Sequence, residues 1–514
     1  MKRIFNVIIN KIFSLSYQVS CSHYINVILG ALKMFITSKG PEQACHHGLN
    51  FLKGEYDLYS IQELLDGYQR KKFSPVEITQ SYIEKAKQNS NLNAFISITT
   101  NVALQQAKIS EMKWQLGEVG QLEGIPLSYK DNIHTKGIAS TSGSKIDQNF
   151  IPEKNATIIE AMNQAGAIMI GKNNMHEFAF GITNNNPFYG SAKNPWNPQL
   201  ISGGSSGGSA VAVLAGLSVA SLGTDTGGSI RIPAASCGLV GLKPTYGMLS
   251  NEGLTLISQT LDHPGPITKD ISDLILMMEA LTGDDFSVID SRAEDLCGVK
   301  IGVPVNFFTE KIETDVLEDY KATIKKLEQL GAHLIDVEVP YAEEAIPLTF
   351  TLAITEGGYS HKDRMEAHME DYGYDVAHVM EASKSIPAYD YVHALARRKE
   401  ITAACDRVLE QVDAIITPTI PAQPKPIGQE IVHLSGEEEP IFDCMIRYTS
   451  YFNLTGHPAI SIPIGLANDV PIGVQLVSGK WRERQLISIA KIFEDNYLSD
   501  FYEQRDKLVA SLKV

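Results

Sequence analysis

The sequence has little of what several large classes of protein require. Its six cysteines show no CxxC spacing in 514 residues, so a disulfide framework or cysteine-based zinc site is not indicated and a reducing, cytoplasmic compartment is expected. Lysine and arginine number 44 against 60 acidic residues, a net charge of −16, which argues against direct nucleic-acid binding through a basic surface. His176 and Glu177 lack the second histidine of a zincin HExxH motif. We therefore expect neither a metal nor a cofactor.

Long uninterrupted apolar runs are also missing. Two apolar stretches in the first 37 residues are broken by asparagine and lysine, and the second is too short to span a bilayer. Three interpretations stay open for this segment: a disordered or peripheral extension, which includes an over-long gene start, a membrane-associated anchor, or a cleaved export signal. We expect residues 1–54 to be an extension, with any membrane association confined to residues 1–40, and residues 55–514 to form one domain.

Two glycine-bracketed serine clusters lie close together in GGSSGGSAVAVLAGLSVASLGTDTGGSIR, residues 203–231. Glycine costs conformational entropy and is best explained where backbone turns tightly or approaches a ligand. The small apolar residues between Ser205 and Ser229 predict a buried helix followed by a short strand. That arrangement would bring both serines to one end of a core layer, so the segment is predicted to be an active site.

Four alternatives share parts of this pattern. A P-loop is excluded because it needs a lysine directly after its last glycine, whereas the first lysine after Gly207 and Gly208 is Lys243. The GxSxG match at 203–207 follows a loop and not the strand of a nucleophile elbow, and the SxxK match at 142–145 has no SDN or KTG partner. A flexible linker would be polar on both sides, whereas this segment continues into AVAVLAGLSVA.

A serine hydroxyl needs a neighbouring base before it is a good nucleophile. Lys130 is the best candidate, because it ends the short apolar strand in GIPLSYKDN at 124–132, and side chains emerge at the end of a strand. Taken alone, a lysine in this position is more often a solvated charge. The role therefore depends on the serines lying nearby.

Together these segments resemble the amidase signature family. The family's motifs appear in order as GIPLSYKDN at 124–132, GGSSGG at 203–208, GTDTGGSIRIPAASCGLVGLKPTYG at 223–247 and PAISIPIG at 458–465. The resemblance covers about residues 55–500 and implies an α/β fold, a mixed, twisted central sheet with helices on both faces. It also implies a catalytic core at about 120–250 and a variable substrate-pocket region at about 340–400.

The resemblance further implies a Ser-Ser-Lys triad, with Ser229 as nucleophile, Ser205 as bridging serine in a cis peptide and Lys130 as general base. Thr226, Gly227 and Gly228 are expected to form the oxyanion hole, and Ser206 to support it. Their backbone N–H groups would stabilise a tetrahedral intermediate, helped by a helix beginning at or just after Ser229. We interpret Asp225 and Arg231 as a structural ion pair and Cys237 as a small buried residue.

Alternating apolar segments agree with an α/β fold. The patterns predict helices at 157–165, 271–281 and 314–330, and strands at 167–170, 299–304, 333–337, 413–417 and 473–477. In the variable region, Phe350, Tyr359, Tyr372 and Tyr374 are candidate pocket residues, although aromatic residues on helices more often belong to the core.

Three functions stay open. The first is a stand-alone amidase, monomeric or homodimeric, acting on a small-molecule amide. The second is the A-type component of an aminoacyl-tRNA amidotransferase, which releases ammonia from glutamine and works with a B-type partner. The family's A-type components usually carry aspartate where His176 stands, and residues 253–266 depart from their ASSLDQIGP-like stretch, so both departures favour the stand-alone enzyme. A catalytically silent binding protein is the third, and the intact Lys130, Ser205 and Ser229 argue against it.

Overall fold

A mixed β-sheet organises the protein, and it can be followed through residues 58–286 and 295–512, the part of the chain that the computed structural model describes. The strands are β1 (Phe95–Ile98), β2 (Pro126–Lys130), β3 (Ile168–Asn173), β4 (Ala220–Asp225), β5 (Val240–Lys243), β6 (His263–Thr268), β7 (Lys300–Pro304), β8 (His333–Val337), β9 (Ala414–Pro418), β10 (Ile431–Leu434), β11 (Glu437–Pro440), β12 (Ala459–Ala467) and β13 (Val470–Val477).

Within these described residues, eleven strands form one sheet in the order β1-β3-β2-β4-β6-β5-β12-β13-β9-β7-β8, while β10 and β11 pair as a separate hairpin. Strand β2 runs parallel to β3 and to β4, and β7 runs parallel to β8 and to β9. The remaining neighbours in the large sheet are antiparallel. The sheet is therefore mixed.

Helices cover both faces of the central strands. Every residue of β2, β3, β4, β5, β6 and β9 is buried, and because successive side chains of a strand point to opposite faces, burial along the whole strand requires cover on both sides. The α/β fold with a mixed, helix-covered sheet is thus confirmed.

The described helices fall between and beyond the strands of this sheet. They are α1 (Ile61–Gln69), α2 (Pro75–Gln88), α3 (Thr100–Leu116), α4 (Thr157–Ala165), α5 (Gly207–Leu214), α6 (Arg231–Cys237), α7 (Ile271–Thr282), α8 (Thr314–Gln329), α9 (Ala345–Ser360), α10 (Lys362–His368), α11 (Tyr374–Ser383), α12 (Ala388–Leu409), α13 (Ile441–Ile446), α14 (Ser450–Thr455), α15 (Glu483–Tyr497) and α16 (Ser499–Ser511).

The predicted elements are all present. Helix α4 and strand β8 have the predicted bounds, and the other predicted ends differ by at most three residues. Strand β13 begins earlier than predicted, at Val470, and β3, which was expected to end at Ile170, continues to Asn173 because its polar end pairs with β1 and β2. Apolar pattern alone misses the end of β3, since the residues there are buried but polar.

The predicted N-terminal extension lies outside the described residues. Residues Tyr56–Val514 form one compact unit, and the proposed division into extension and single domain stays a prediction. None of the described helices is both long and apolar enough to cross a membrane.

Candidate active site

Lys130 lies where two parallel strands end. It is the last residue of β2, and the neighbouring strand β4 ends at Asp225. Strand β6, antiparallel to β4, begins with His263 opposite Asp225. Because these three strand ends share one edge of the sheet, residues far apart in sequence meet there.

Ser205 lies in the turn that leads into α5, and its hydroxyl oxygen is 2.7 Å from Lys130 Nζ. The Gly204–Ser205 peptide bond is cis, as expected. The first turn of α5 also needs a glycine, because a Cβ on Gly208 would lie 2.3 Å from the Asn174 carbonyl oxygen. The GGSSGG cluster is therefore explained by close backbone packing around a buried serine.

Ser229 lies against the same turn. The Ser206 N–H donates to the Ser229 carbonyl at 3.2 Å, and Ser206 Oγ donates to the Thr224 carbonyl at 3.2 Å. Ser229 is only 5% exposed but lines a cavity of about 460 Å³. Its hydroxyl has no hydrogen-bond partner in the described part of the chain, so it is open to a molecule in that cavity.

The loop from β4 to α6 is held by the predicted Asp225–Arg231 ion pair, which the structure confirms with Arg231 Nη2 3.1 Å from Asp225 Oδ1. Asn453 Nδ2 also donates to this carboxylate at 2.7 Å. Although burial acts to raise the pKa of Asp225, the charge and hydrogen bonds of Arg231 hold it well below the usual range. Asp225 is therefore a fixed negative charge that shapes the loop.

One detail of the expected oxyanion hole differs from the structure. The Gly228 N–H donates to Asp225 Oδ1 at 2.7 Å, so it is occupied within the loop. Gly228 has a φ of 134°, and a Cβ there would lie 2.3 Å from Thr449 Oγ1, which explains the glycine sterically. The N–H groups of Thr226, Gly227 and Ser229 have no acceptor among the described residues and remain candidates for binding an oxyanion.

Lys130 is completely buried. Its Nζ lies 2.7 Å from Thr224 Oγ1 as well as from Ser205 Oγ. Burial lowers the pKa of Lys130 to about 7, although the nearby carboxylates of Asp262 and Asp225 act to raise it. A substantial fraction of this amine is therefore uncharged near neutral pH, as a general base requires.

Asp262 is a residue of the site that sequence reasoning missed. It accepts a 2.6 Å hydrogen bond from Thr226 Oγ1 and bonds from the N–H groups of Ile257 and Ser258 at 2.9 and 3.2 Å. Burial raises the pKa of Asp262 to about 7. The available signal was an aspartate directly before a strand, but the pairing of β6 with β4 that brings it to Lys130 is not visible in the sequence.

No group of three or more potential metal ligands occurs among the residues that the structure describes. Cys237, as expected, is completely buried.

A protein-family model described as Amidase matches residues 77–487. The chain belongs to the amidase family. The A component of the glutamyl-tRNA(Gln) amidotransferase of Caldanaerobacter subterraneus subsp. tengcongensis is 36% identical over 485 residues, which cover 86% of this chain and 98% of that protein. The corresponding protein of Nitrosococcus oceani is 35% identical over 482 residues, 87% of this chain and 98% of its own.

Solved structures support the same family membership. An amidase superposes with a TM-score of 0.81 at 31% identity, covering 85% of this chain and all of its own. The A component of the glutamyl-tRNA(Gln) amidotransferase from Thermotoga maritima has a TM-score of 0.71 at 33% identity, covering 86% of this chain and 96% of its own. This amidase-family protein is accordingly an enzyme that acts on amide C–N bonds.

The cavity beside Ser229 in this family member is mostly apolar. Side chains from α9, α13 and the loop after β3 form its walls, among them Phe180, Ile182, Phe350, Ile354, Phe442 and Ile446. Three carboxylates, Asp375, Glu430 and Asp443, also line it, whereas no lysine or arginine does among the described residues. The described lining of the cavity thus offers apolar surface and negative charge, but no lysine or arginine for an anion.

Of the four aromatic residues suggested for the pocket, only Phe350 lines it. Tyr359 and Tyr374 are 64% and 81% exposed, and Tyr372 is buried against Phe178 with ring centroids 5.6 Å apart. Residue type alone could not distinguish these environments. His176, noted for its departure from the amidotransferase pattern, does line the cavity and lies 2.8 Å from Asp375.

Proposed function

We propose that this enzyme is a stand-alone amidase that hydrolyses neutral or cationic amides carrying a bulky apolar group. The observation that carries this proposal is the apolar cavity of about 460 Å³ beside Ser229, which is within the usual range for small-molecule sites. Burial of apolar surface contributes about 25 cal/mol per Å², so such a cavity favours an apolar substituent.

The proposed reaction uses Ser229, Ser205 and Lys130. When substrate is bound, the Ser229 hydroxyl has to come within hydrogen-bond distance of Ser205 Oγ, a contact that it does not make in this structure. Neutral Lys130 then takes the Ser205 proton while Ser205 takes the proton of Ser229, whose oxygen attacks the amide carbonyl carbon. The proton then returns through Ser205 to the leaving nitrogen, the C–N bond breaks, and ammonia or an amine departs from an acyl-serine ester. Water, deprotonated by the same relay, cleaves the ester and releases the acid.

The N–H groups of Thr226, Gly227 and Ser229 are proposed to stabilise the tetrahedral oxyanion. Donors of this kind are worth roughly 3–4 kcal/mol each when they are aimed at the developing charge. Asp262 supports the arrangement, because it fixes Thr226 through the 2.6 Å hydrogen bond to its hydroxyl. In this proposal Gly228 is needed because a side chain would not fit there, and Asp225 holds the conformation of the loop.

A second candidate is the glutamine-hydrolysing A-type component of a tRNA-dependent amidotransferase. The names of the relatives support it more directly than the first candidate, because relatives 35–36% identical over nearly their whole length are components of such enzymes. The cavity argues against it: glutamine carries an α-carboxylate, and no lysine or arginine among the described residues lines the cavity to pair with it.

The two candidates are separated by the substrate preference of the purified chain. We expect phenylalkyl and long aliphatic amides to be hydrolysed with a kcat/KM at least about tenfold above that for glutamine, which corresponds to about 1.4 kcal/mol. The matched control replaces the neutral amides by analogues carrying a carboxylate at the far end, which should be poor substrates. Turnover of glutamine alone, or silence without an added partner protein, would replace the first candidate by the second.

A further inference from the structure

A second cavity, of about 470 Å³, lies apart from the one beside Ser229. Its walls come from the loop after β5, from α12, from the end of α14 and from the residues that follow β13. None of its lining residues also lines the Ser229 cavity. The proposed reaction therefore leaves this cavity unexplained.

Positive charge distinguishes the second cavity from the rest of this acidic chain. Arg398, Lys399 and Lys480 line it, with Asp406 as the one carboxylate among its described lining residues. Asp406 is already shared, since it lies 2.8 Å from His457 Nε2 and 3.5 Å from Lys480 Nζ. The cavity thus has more cationic than anionic side chains, in a protein whose net charge is −16.

Two of these cations have unused hydrogen-bond donors. Arg398 donates from Nε to the Leu454 carbonyl at 2.6 Å and from Nη2 to the Thr260 carbonyl at 2.7 Å, while Nη1 has no partner in the described ranges. Lys399 is exposed and has no ion-pair partner there either. Arg398 and Lys399 are consecutive residues of α12 that both line the cavity. A guanidinium with an unused N–H and an unpaired ammonium group are each suited to an oxyanion such as phosphate or carboxylate.

The cavity also presents aromatic surface. Trp481 is 63% exposed, yet its backbone is fixed in the left-handed region with a φ of 64°, and its N–H donates to Thr245 Oγ1 at 2.9 Å. Tyr246 lines the same cavity and is held by a 2.6 Å hydrogen bond from its hydroxyl to the Gln259 carbonyl. The Tyr246 ring is half-buried, and the Arg398 guanidinium lies 5.9 Å from its centroid. Trp481 therefore provides the more accessible ring surface on which another ring can stack, with Tyr246 beside it in the cavity lining.

We propose that this second cavity binds a small anion that carries an aromatic ring, such as an aromatic phosphate or carboxylate. The cations take the anionic group, and Trp481 and Tyr246 take the ring. The volume is suited to a ligand of this size. The proposal does not depend on which amide the Ser229 site hydrolyses.

The test measures binding of adenosine monophosphate and of 4-nitrophenyl phosphate to the full chain by calorimetry, with inorganic phosphate and adenosine as partial probes. We expect at least one aromatic phosphate to bind with one-to-one stoichiometry, and both partial probes to bind at least about tenfold more weakly. Lys399→Glu and Trp481→Ala should each weaken binding about tenfold or more, whereas Trp481→Phe retains a ring and should lose less.

Two controls locate the ligand. Lys136→Glu changes another exposed lysine, outside both cavities, and should leave binding unchanged. Ser229→Ala should do the same because it alters only the other cavity. Unfolding midpoints of all variants check that the fold is retained. No binding of either aromatic phosphate at millimolar concentration, or binding unaffected by both Lys399→Glu and Trp481→Ala, would overturn the proposal.

Discussion

The strand ends that carry the candidate active site and the helices that cover its cavity are built in opposite ways. Lys130, Ser205 and Ser229 are at most 5% exposed, and buried hydrogen bonds fix their surroundings. Among the helices that line the cavity, α11 contributes Asp375 and Val379 but has only two buried residues, Val376 and Met380. Helix α10, which precedes it, has no buried residue and is attached to the loop after β2 by side-chain pairs such as Arg364–Asp147. From this contrast we expect the proposed chemistry to depend on the buried sheet edge, and substrate specificity to depend on the cavity wall, which tolerates substitution better.

The largest effect is expected from a change at the sheet edge. Ser229→Ala removes the proposed nucleophile and should lower kcat by at least about 1,000-fold, measured as acid and ammonia or amine release from the preferred amide. An unchanged unfolding midpoint would show that the fold is intact. Activity within a few-fold of the wild-type enzyme in this variant would remove Ser229 from the mechanism.

Lys130→Arg keeps a positive charge but removes a base that can lose its proton near neutral pH. We expect kcat/KM to fall roughly 100- to 10,000-fold. In the wild-type enzyme, the pKa of about 7 for Lys130 predicts that kcat/KM rises with pH, because the active form is the neutral amine, and levels off above pH 7.

Below that pKa the rate should fall about tenfold per pH unit, which a pH profile of kcat/KM measures directly. A profile that is flat from pH 5 to 9, or rises as pH falls, would contradict the assignment of Lys130 as general base. Ser229→Ala, assayed across the same range, shows how much background hydrolysis contributes.

A change in the cavity wall should alter specificity and leave the chemistry intact. Phe442 packs against Phe350 with ring centroids 5.2 Å apart, and both line the cavity. Phe442→Ala should lower kcat/KM for a bulky apolar amide roughly 10- to 100-fold, and a small amide such as propionamide should change little.

Phe188→Ala is the matched control for that experiment, since Phe188 is 37% exposed and lies outside the cavity. Equal losses for large and small amides in Phe442→Ala would mean that the wall supports the catalytic geometry itself. That result would argue against assigning chemistry to the sheet edge and specificity to the cavity wall.

The smallest effect is expected at the attachment of α10, the helix that precedes the cavity-lining helix α11. Arg364 makes a two-pronged contact with Asp147, with distances of 2.7–3.2 Å, and the two side chains are 27% and 10% exposed. After allowance for solvent screening, Arg364→Ala should destabilise the protein by about 1–2 kcal/mol. Lys145→Ala, which breaks the more exposed contact to Asp371, should have a smaller effect, as measured by denaturant unfolding.

Hydrogen exchange adds a local readout to the same pair of variants. In Arg364→Ala, amides of α10 and α11 should exchange faster while those of β2 and β4 stay protected. Equal acceleration in both regions would show that wall and edge unfold as one unit.

Much of the fold and the contact between Lys130 and Ser205 followed from the sequence, because apolar periodicity sets the elements and the family motifs are long and ordered. Other features depend on tertiary pairing that no local pattern reports. The hydrogen bond between Thr226 and Asp262 depends on the register in which β4 pairs with β6. The hydrogen bond from the Gly228 N–H to Asp225, which removes this N–H from the oxyanion hole, depends on the conformation of the loop after β4. Tyr359 is exposed and Tyr372 is buried against Phe178, a difference that depends on tertiary packing and not on residue type.

Helix α9 contacts both the cavity and the residues beside the sheet edge, and its positions differ in how freely they can be substituted. Phe350 and Ile354 on this helix line the cavity, but Glu356 accepts a 2.6 Å hydrogen bond from Ser258 Oγ, and Ser258 in turn donates its N–H to Asp262. A directed-evolution library that varies the first two positions can search for new substrates without touching the proton relay. A library that also varies Glu356 would lower turnover together with any change in substrate range. The number of α9 positions that can be varied without loss of activity is therefore limited.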